Sequence, residues 1–344
     1  MKKKSNSLKF IFIGVVTTVI LFIGAFTVYK DYLVNSFSDF NFRLFIRPTT
    51  QYSEIIDTLS TKVSNDNVSR FNRISRLGKY DKNVKTGSYL VNPGMSVYDV
   101  YKMVSTGNQT PVKVTFNNIR TAETFAKRLS SQLMVDSTTI MNALNSPELQ
   151  EKFGFNQEDF VSMFLPDTYE FYWTVSVEDF LYRMKREYDK YWTPERLEKA
   201  GKLNLTPKEV AILASIAEEE TNNKQERGVV GRLYINRIEQ GMPLQADPTV
   251  KFALKDFGLR RIKNEHLKHD SPYNTYKNKG LPPGPIRIPT KQTMDSILNS
   301  EPHEYIYMVA KEDFSGRHNF ATNYKQHLQY ANRYRQALNR RKIY

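Results

Sequence analysis

The chain of 344 residues contains no cysteine. That excludes a disulfide framework, a thiolate metal site, a cysteine nucleophile and a lipidated N-terminal cysteine. Histidine is scarce, five in all, and none stands in an H-E-x-x-H or similar spacing, so neither a metal nor another cofactor is expected. Gly-rich phosphate loops and a G-x-S-x-G elbow are also missing. Acid is in deficit: 50 Lys and Arg against 36 Asp and Glu leave a net charge of +14. The basic residues are scattered, with no run interleaved with aromatics, so an anionic polymer or lipid suits them better than nucleic acid. Long apolar runs are absent with one exception. "FIFIGVVTTVILFIGAFTVY", Phe10 to Tyr29, carries no charge and has about the twenty residues that an α-helix needs to cross a bilayer. Four lysines precede it, and no A-x-A-like cleavage site follows. The expectation is a cytoplasmic tail at 1–9, a transmembrane helix at 10–29, and everything after Lys30 outside the plasma (inner) membrane.

Beyond the anchor, 40% hydrophobic and 25% charged residues predict ordered α+β structure in about two domains. "YLVNPGMSVYDV" (Tyr89 to Val100) and "YEFYWTVSVEDF" (Tyr169 to Phe180) share Tyr, Ser-Val and Asp at matching offsets. Each reads as a short strand, a turn, and a serine N-cap with an acid three residues on, which opens a helix. "VTFNNIRTAETFAKRL" echoes the pattern with threonine. Small modules of this kind resemble LysM carbohydrate-binding units, although capped helices after strands are common in any fold. The boundaries expected are 30–110 for a membrane-proximal LysM-like α+β module, 111–200 for a second α+β segment, and 201–344 for a mixed α+β segment. "DKYWTPERLEKAGKLNLTPKEV" is the polar join before the last.

That last segment opens with clear helix signals. Thr206-Pro207-Lys208-Glu209 supplies an N-cap, a proline at the first helical position and a capping-box glutamate. The helix then runs through "VAILASIAEEE" to "TNN". At about 100° per residue, Val210, Ile212, Leu213, Ile216 and Ala217 form one apolar stripe. Glu220 falls near its middle, Glu219 on its edge, and Glu218 points almost directly away. A carboxyl on the apolar side is costly unless paired, protonated or at a cleft, and partial desolvation raises its pKa into the range of a general acid. The competing reading is a frayed helix end with all three acids in water. A second helix is expected from Lys224 to Gln240, stopped by Gly241.

Here the chain resembles the YceG-like family of endolytic murein transglycosylases. The resemblance rests on "ASIAEEET", "INRIEQGMPLQADPTVKFAL", "YNTY" with "GLPPGPI", and "HNFATN", with "LPDTYEF" upstream. It implies that 201–344 is a catalytic domain and that Glu220, directly before Thr221, is the catalytic acid/base. The family usually has a basic residue where Glu219 stands, so Glu219 would add negative charge beside Glu220. The implied reaction cleaves the MurNAc-β-1,4-GlcNAc bond of nascent peptidoglycan and leaves 1,6-anhydro-MurNAc ends, terminating strand elongation. One carboxyl suffices for this, because the sugar's own C6 hydroxyl attacks in place of water. By resemblance Asn236, Gln245 and Asp247 would orient saccharide amides and hydroxyls, while Asn274 and Tyr276 would stand by the cleft and His318 in a matching H-x-F position. Plain alternatives exist: a polar helical residue for Asn236, a turn former for Asp247, a structural histidine for His318. The tether would set the enzyme beside peptidoglycan synthases. Two other functions remain open at this stage: a non-catalytic peptidoglycan-binding scaffold, and a hydrolase such as a lysozyme.

Overall fold

A computed structural model describes residues 3–341; Met1, Lys2 and residues 342–344, parts of the expected tail and of the C-terminal segment, lie outside it. The fold is a mixture of helices and small sheets, divided into two compact units.

The first unit runs to Lys113 and includes Glu170–Val175. It begins with α1 (Lys3–Tyr29), continued by a π-helical turn at Lys30–Val34. Lys9–Val34 is long and apolar enough to cross a membrane, and no part of its apolar window is buried in protein. Two strands, β1 (Phe42–Ile46) and β2 (Gly87–Val91), pair antiparallel with Phe42 opposite Val91 and Ile46 opposite Gly87. Gly87 has no room for a side chain, since a Cβ there would lie 2.5 Å from the Gln109 side chain. Helices α2 (Tyr52–Ser60), α3 (Asn65–Leu77) and α4 (Val97–Thr106) bury Ile55, Leu59, Phe71, Val97 and Val100 against Leu44, Ile46 and Tyr89. Ser96 and Asp99 make the reciprocal capping box that the sequence predicts at the start of α4.

The second unit comprises Val114–Tyr169 and the chain from Ser176 onward. Strands β3 (Val112–Phe116) and β4 (Asp167–Phe171) pair with each other, and the division between units falls inside both. Helices α5 (Ala122–Ser130), α6 (Ser137–Leu144), α7 (Pro147–Lys152) and α8 (Val177–Tyr191) follow, with Thr121 and Ser176 as the expected N-caps of α5 and α8. Their core is aromatic: the Phe125 ring lies 5.0 Å from Phe116 and 4.6 Å from Phe164.

Next come α9 (Pro194–Lys202), α10 (Pro207–Glu220), α11 (Arg227–Glu239), α12 (Asp247–Leu254), α13 (Asn264–Leu267) and α14 (Lys291–Leu298). A hairpin of β5 (Tyr307–Ala310) and β6 (His318–Ala321) and then α15 (Tyr324–Arg340) complete the described chain. The supposed polar join is packed: Tyr191 and Trp192 are buried, and the Tyr191 hydroxyl and the Arg196 guanidinium both donate to Asp295 of α14.

Helix α10 is the axis of this unit. It packs against α11, α12 and α14, and every residue from Val210 to Glu218 is buried. The stripe seen on the helical wheel is therefore not a single buried side. Helix α11 approaches α14 closely enough that only glycine fits at two positions: a Cβ on Gly228 would stand 2.6 Å from the Ser296 carbonyl oxygen, and one on Gly231 2.6 Å from Ile297 Cγ1. Backbone cannot yield as a side chain does, so Gly228→Ala is expected to cost about 1–3 kcal/mol by overpacking. A lowered urea midpoint at an unchanged slope would register it.

Candidate active site

The three glutamates that end α10 have three different surroundings. Glu218 is buried to the last 1% of its side chain between two arginines, 3.4 Å from Arg227 Nη1 and 3.2 Å from Arg287 Nε. Its Oε1 also accepts from the Thr290 backbone N–H at 2.9 Å and from the hydroxyls of Thr293, at 2.5 Å, and Thr290. The wheel's direction for Glu218, away from the stripe, leads into a second wall of protein. Glu219 is held by both arms of Arg120, at 2.9 and 2.8 Å, and by Arg287 Nη1 at 2.9 Å. Arg287 extends the clamp through Nη2 to Asn118 Oδ1. Two cations thus neutralise Glu219, contrary to the expectation that it loads negative charge onto its neighbour.

Glu220 is the acid without a cation. It is half-buried, its Oε1 accepts from the Tyr234 hydroxyl at 3.1 Å, and Oε2 has no hydrogen bond among the described residues. Burial pushes its pKa from 4.5 up to about 7, the Tyr234 hydrogen bond works against that rise, and the negative charge of Asp247 adds to it. More distant pull comes from Arg237 and Lys251.

The loop before α12 supplies the second carboxylate. Asp247 opens α12 and accepts from the Tyr276 hydroxyl at 2.6 Å. Two threonines hold this loop to residues 274–276: the Ala246 N–H donates to Thr275 Oγ1 at 3.0 Å, and Thr249 Oγ1 lies 2.8 Å from Thr275 Oγ1. Gln245 sits at φ 51° with its backbone N–H on the Thr275 carbonyl, which leaves an exposed side chain with no hydrogen bond among the described residues.

Of the residues singled out from sequence, the structure groups Glu220, Asp247 and Tyr276 electrostatically, and Gln245 lies two residues from Asp247. The other three have their polar atoms on scaffold. The buried amide of Asn236 donates to the carbonyls of His303 and Tyr305, at 2.6 and 3.0 Å. Buried Asn274 donates to Leu267 and His269 carbonyls and accepts from the Tyr276 N–H, which shapes the loop that presents Tyr276. His318 pairs with Glu226 at 2.9 Å, and Glu226 accepts from Thr221, the residue after Glu220. Sequence reasoning missed Tyr234 and Arg237. An aromatic on a helix reads as core; only pairing α10 with α11 across the turn 221–226 brings Tyr234 to Glu220. Arg237 is buried, donating to the Ile306 and Leu244 carbonyls at 2.6 Å each.

The sequence profile of the YceG-like family matches residues 44–333. The chain belongs to that family. Among YceG-like relatives, an endolytic murein transglycosylase of Bacillus subtilis (strain 168) is 34% identical over 155 residues, 44% of this chain and 41% of the relative. One from Streptococcus pneumoniae serotype 2 (strain D39 / NCTC 7466) is 25% identical over 274 residues, 71% of this chain and 49% of the relative. The chain thus spans less than half the length of these curated relatives. A YceG-like protein of Listeria monocytogenes, known from a crystal structure at 2.6 Å, superposes with a TM-score of 0.56 at 26% identity. That match covers 84% of this chain and 98% of the other.

The hydrogen bond and the second carboxylate pull the Glu220 pKa in opposite directions, which gives a paired expectation. Tyr234→Phe removes a bond to the charged form, so the pKa rises and the basic limb of the pH–rate profile moves up. Asp247→Asn removes a like charge, so the limb moves down. Titrating kcat/KM from pH 5 to 9 reads both, and movement in the same direction by both variants would refute the assignment.

Proposed function

We propose that this chain is a membrane-anchored endolytic lytic transglycosylase that cuts the MurNAc-β-1,4-GlcNAc bond of nascent peptidoglycan, with Glu220 as its acid and base. The observation that carries the reading is the Glu220 carboxyl itself: half-buried, with no cation paired to it, one oxygen on Tyr234 and one uncommitted, and its pKa pushed by burial up to about 7. The names of the relatives supply the substrate class.

In the proposed reaction, protonated Glu220 gives its proton to the glycosidic oxygen as the bond to muramic C1 breaks, and positive charge develops at C1. The carboxylate left behind takes the proton of the C6 hydroxyl as that oxygen closes onto C1. Atoms balance without water, and the product carries a 1,6-anhydro ring. One acid/base supplies about 10²–10⁴-fold; the fixed charges around it contribute the electrostatic share. The helix at Lys9–Val34 would anchor the chain in the plasma membrane with its N-terminus in the cytoplasm. Residues 201–344 would carry the catalysis where new strands emerge beside their synthases. The capped strand–helix pieces of residues 30–110 would bind glycan in the manner of LysM units. Exposed Gln245 and half-buried Tyr276 would contact the sugar, whereas Asn236, Asn274 and His318 would support the walls.

One observation favours a second reading, a hydrolase. Asp247 lies close enough to raise the Glu220 pKa, and a second carboxylate is what a glycosidase uses to direct water or to stabilise C1. Mass spectrometry of digested strands separates the two. Anhydromuramyl ends support the transglycosylase; reducing-end muramic acid would replace it with the hydrolase. No cleavage with retained glycan binding would leave a non-catalytic scaffold.

A further inference from the structure

The second unit holds a cavity of about 630 Å³, within the roughly 300–1,000 Å³ that ligand sites span. Glu123, Asn145, Glu158, Lys255, Phe257 and Tyr273 are among its lining residues. Arg120, Phe252 and Phe257 also line a narrow recess of about 50 Å³, whose remaining wall includes Glu219, Pro248 and Lys251. These are the immediate chain neighbours of Glu220 and Asp247 and a residue whose charge reaches Glu220. The cavity and the recess thus share Arg120, Phe252 and Phe257, and Arg120 joins them to the end of α10 through its bonds to Glu219.

Its chemistry is not that of a neutral sugar site. Its aromatic rings are partly taken up with one another and with a cation: the Arg120 guanidinium lies over the Phe257 ring at 5.5 Å, and the Phe252 and Tyr273 rings lie 4.8 Å apart. Arg120 is itself neutralised by its two bonds to Glu219. The groups left to meet a ligand are of both signs. Lys255, exposed at the left-handed end of α12 (φ 54°), is the cation; exposed Glu123 and Glu158 are the anions. Neither Lys255 nor Glu158 forms an ion pair among the described residues. Asn145 and Gln157 add exposed amides. Glu123 already feels the charge of Lys255 and accepts from Thr121, so a purely anionic ligand would be repelled by the two carboxylates, whereas one carrying both signs can answer Glu158 as well as Lys255.

We infer that this cavity binds the stem peptide of the glycan strand: a short chain with amide groups, free carboxylate and a free ammonium, attached to the muramic residue next to the bond being cut. The inference rests on the proposed substrate, and its test can fail separately from that reading. The probe is a synthetic tetrapeptide carrying an N-terminal lactyl group, one free side-chain amine and free carboxylates. It is titrated calorimetrically into the full chain in detergent, with Glu220→Gln present to stop turnover. Binding should be salt-sensitive and should weaken about tenfold on adding Lys255→Glu or Glu158→Lys, surface changes the fold tolerates. No heat of binding, or affinity indifferent to both substitutions, would overturn the inference. In turnover, the ratio of kcat/KM on intact strands to that on strands stripped of peptide by an amidase should fall about tenfold in Glu158→Lys. An unchanged ratio would also overturn it. If the unsubstituted chain cuts neither strand, the proposed reaction fails, and the peptide titration still decides the cavity.

Discussion

Glu220→Gln is expected to remove cleavage and to make the folded chain more stable at alkaline pH. The amide can accept the Tyr234 hydroxyl but cannot pass a proton to the leaving oxygen, so the loss should be about 10²–10⁴-fold. The stability effect has the opposite sign and follows from the pKa. An unfolded glutamate titrates at 4.5 and the folded Glu220 at about 7, so between those values the native chain holds more proton than the unfolded one. Stability therefore falls as pH rises through that window, and the whole cost of an ionised Glu220 is present above pH 7. It amounts to roughly 3 kcal/mol. The glutamine variant escapes that cost: its urea midpoint should exceed that of the unsubstituted chain clearly at pH 8 and hardly at all at pH 4.5. A variant that is inactive and equally stable at both pH values would mean that Glu220 is solvated, and the acid/base assignment would fall with it.

Glu218→Ala should do the most damage to the fold. The carboxylate sits between Arg227 and Arg287 and receives three further hydrogen bonds from Thr290 and Thr293. Its removal leaves the Arg227 guanidinium, 13% exposed, without a counter-charge, and Arg287 with Glu219 alone. The expected loss is about 3–5 kcal/mol, because breaking a buried pair strands the partner's charge. Urea unfolding at neutral pH measures it. Circular dichroism on the unmelted variant separates a destabilised fold from an unfolded one. A loss under about 1 kcal/mol, the scale of a surface pair, would show that water reaches this cluster.

Local structure around the site was legible in the sequence wherever the cause was local. The Thr206–Glu209 capping box, Pro207 at the first helical position, and the end of α11 at Glu239, with Gln240 as its C-cap and Gly241 at φ 66°, all depend on atoms within a few residues. The strand–turn–serine pattern likewise gives β2 with α4 and β4 with α8. The partition of the three glutamates was less accessible. A helical wheel assumes one wet side, and α10 has none between Val210 and Glu218. The Glu219 pairing depends on Arg120, 99 residues away, and the Glu218 pairing on the Thr290 region, 72 residues away.

The sequence by itself determined the family, the helix limits, the one apolar run able to cross a membrane, and the absence of any cysteine chemistry, since each is written in neighbouring residues or ordered motifs. The wheel and the motif already singled out Glu220; only the tertiary structure decided the partners of each acid, arginines for Glu218 and Glu219 and a tyrosine hydroxyl for Glu220. Desolvation and charge act through space, and the groups that set them for Glu220, namely Tyr234, Asp247 and Arg237, come from α11 and α12.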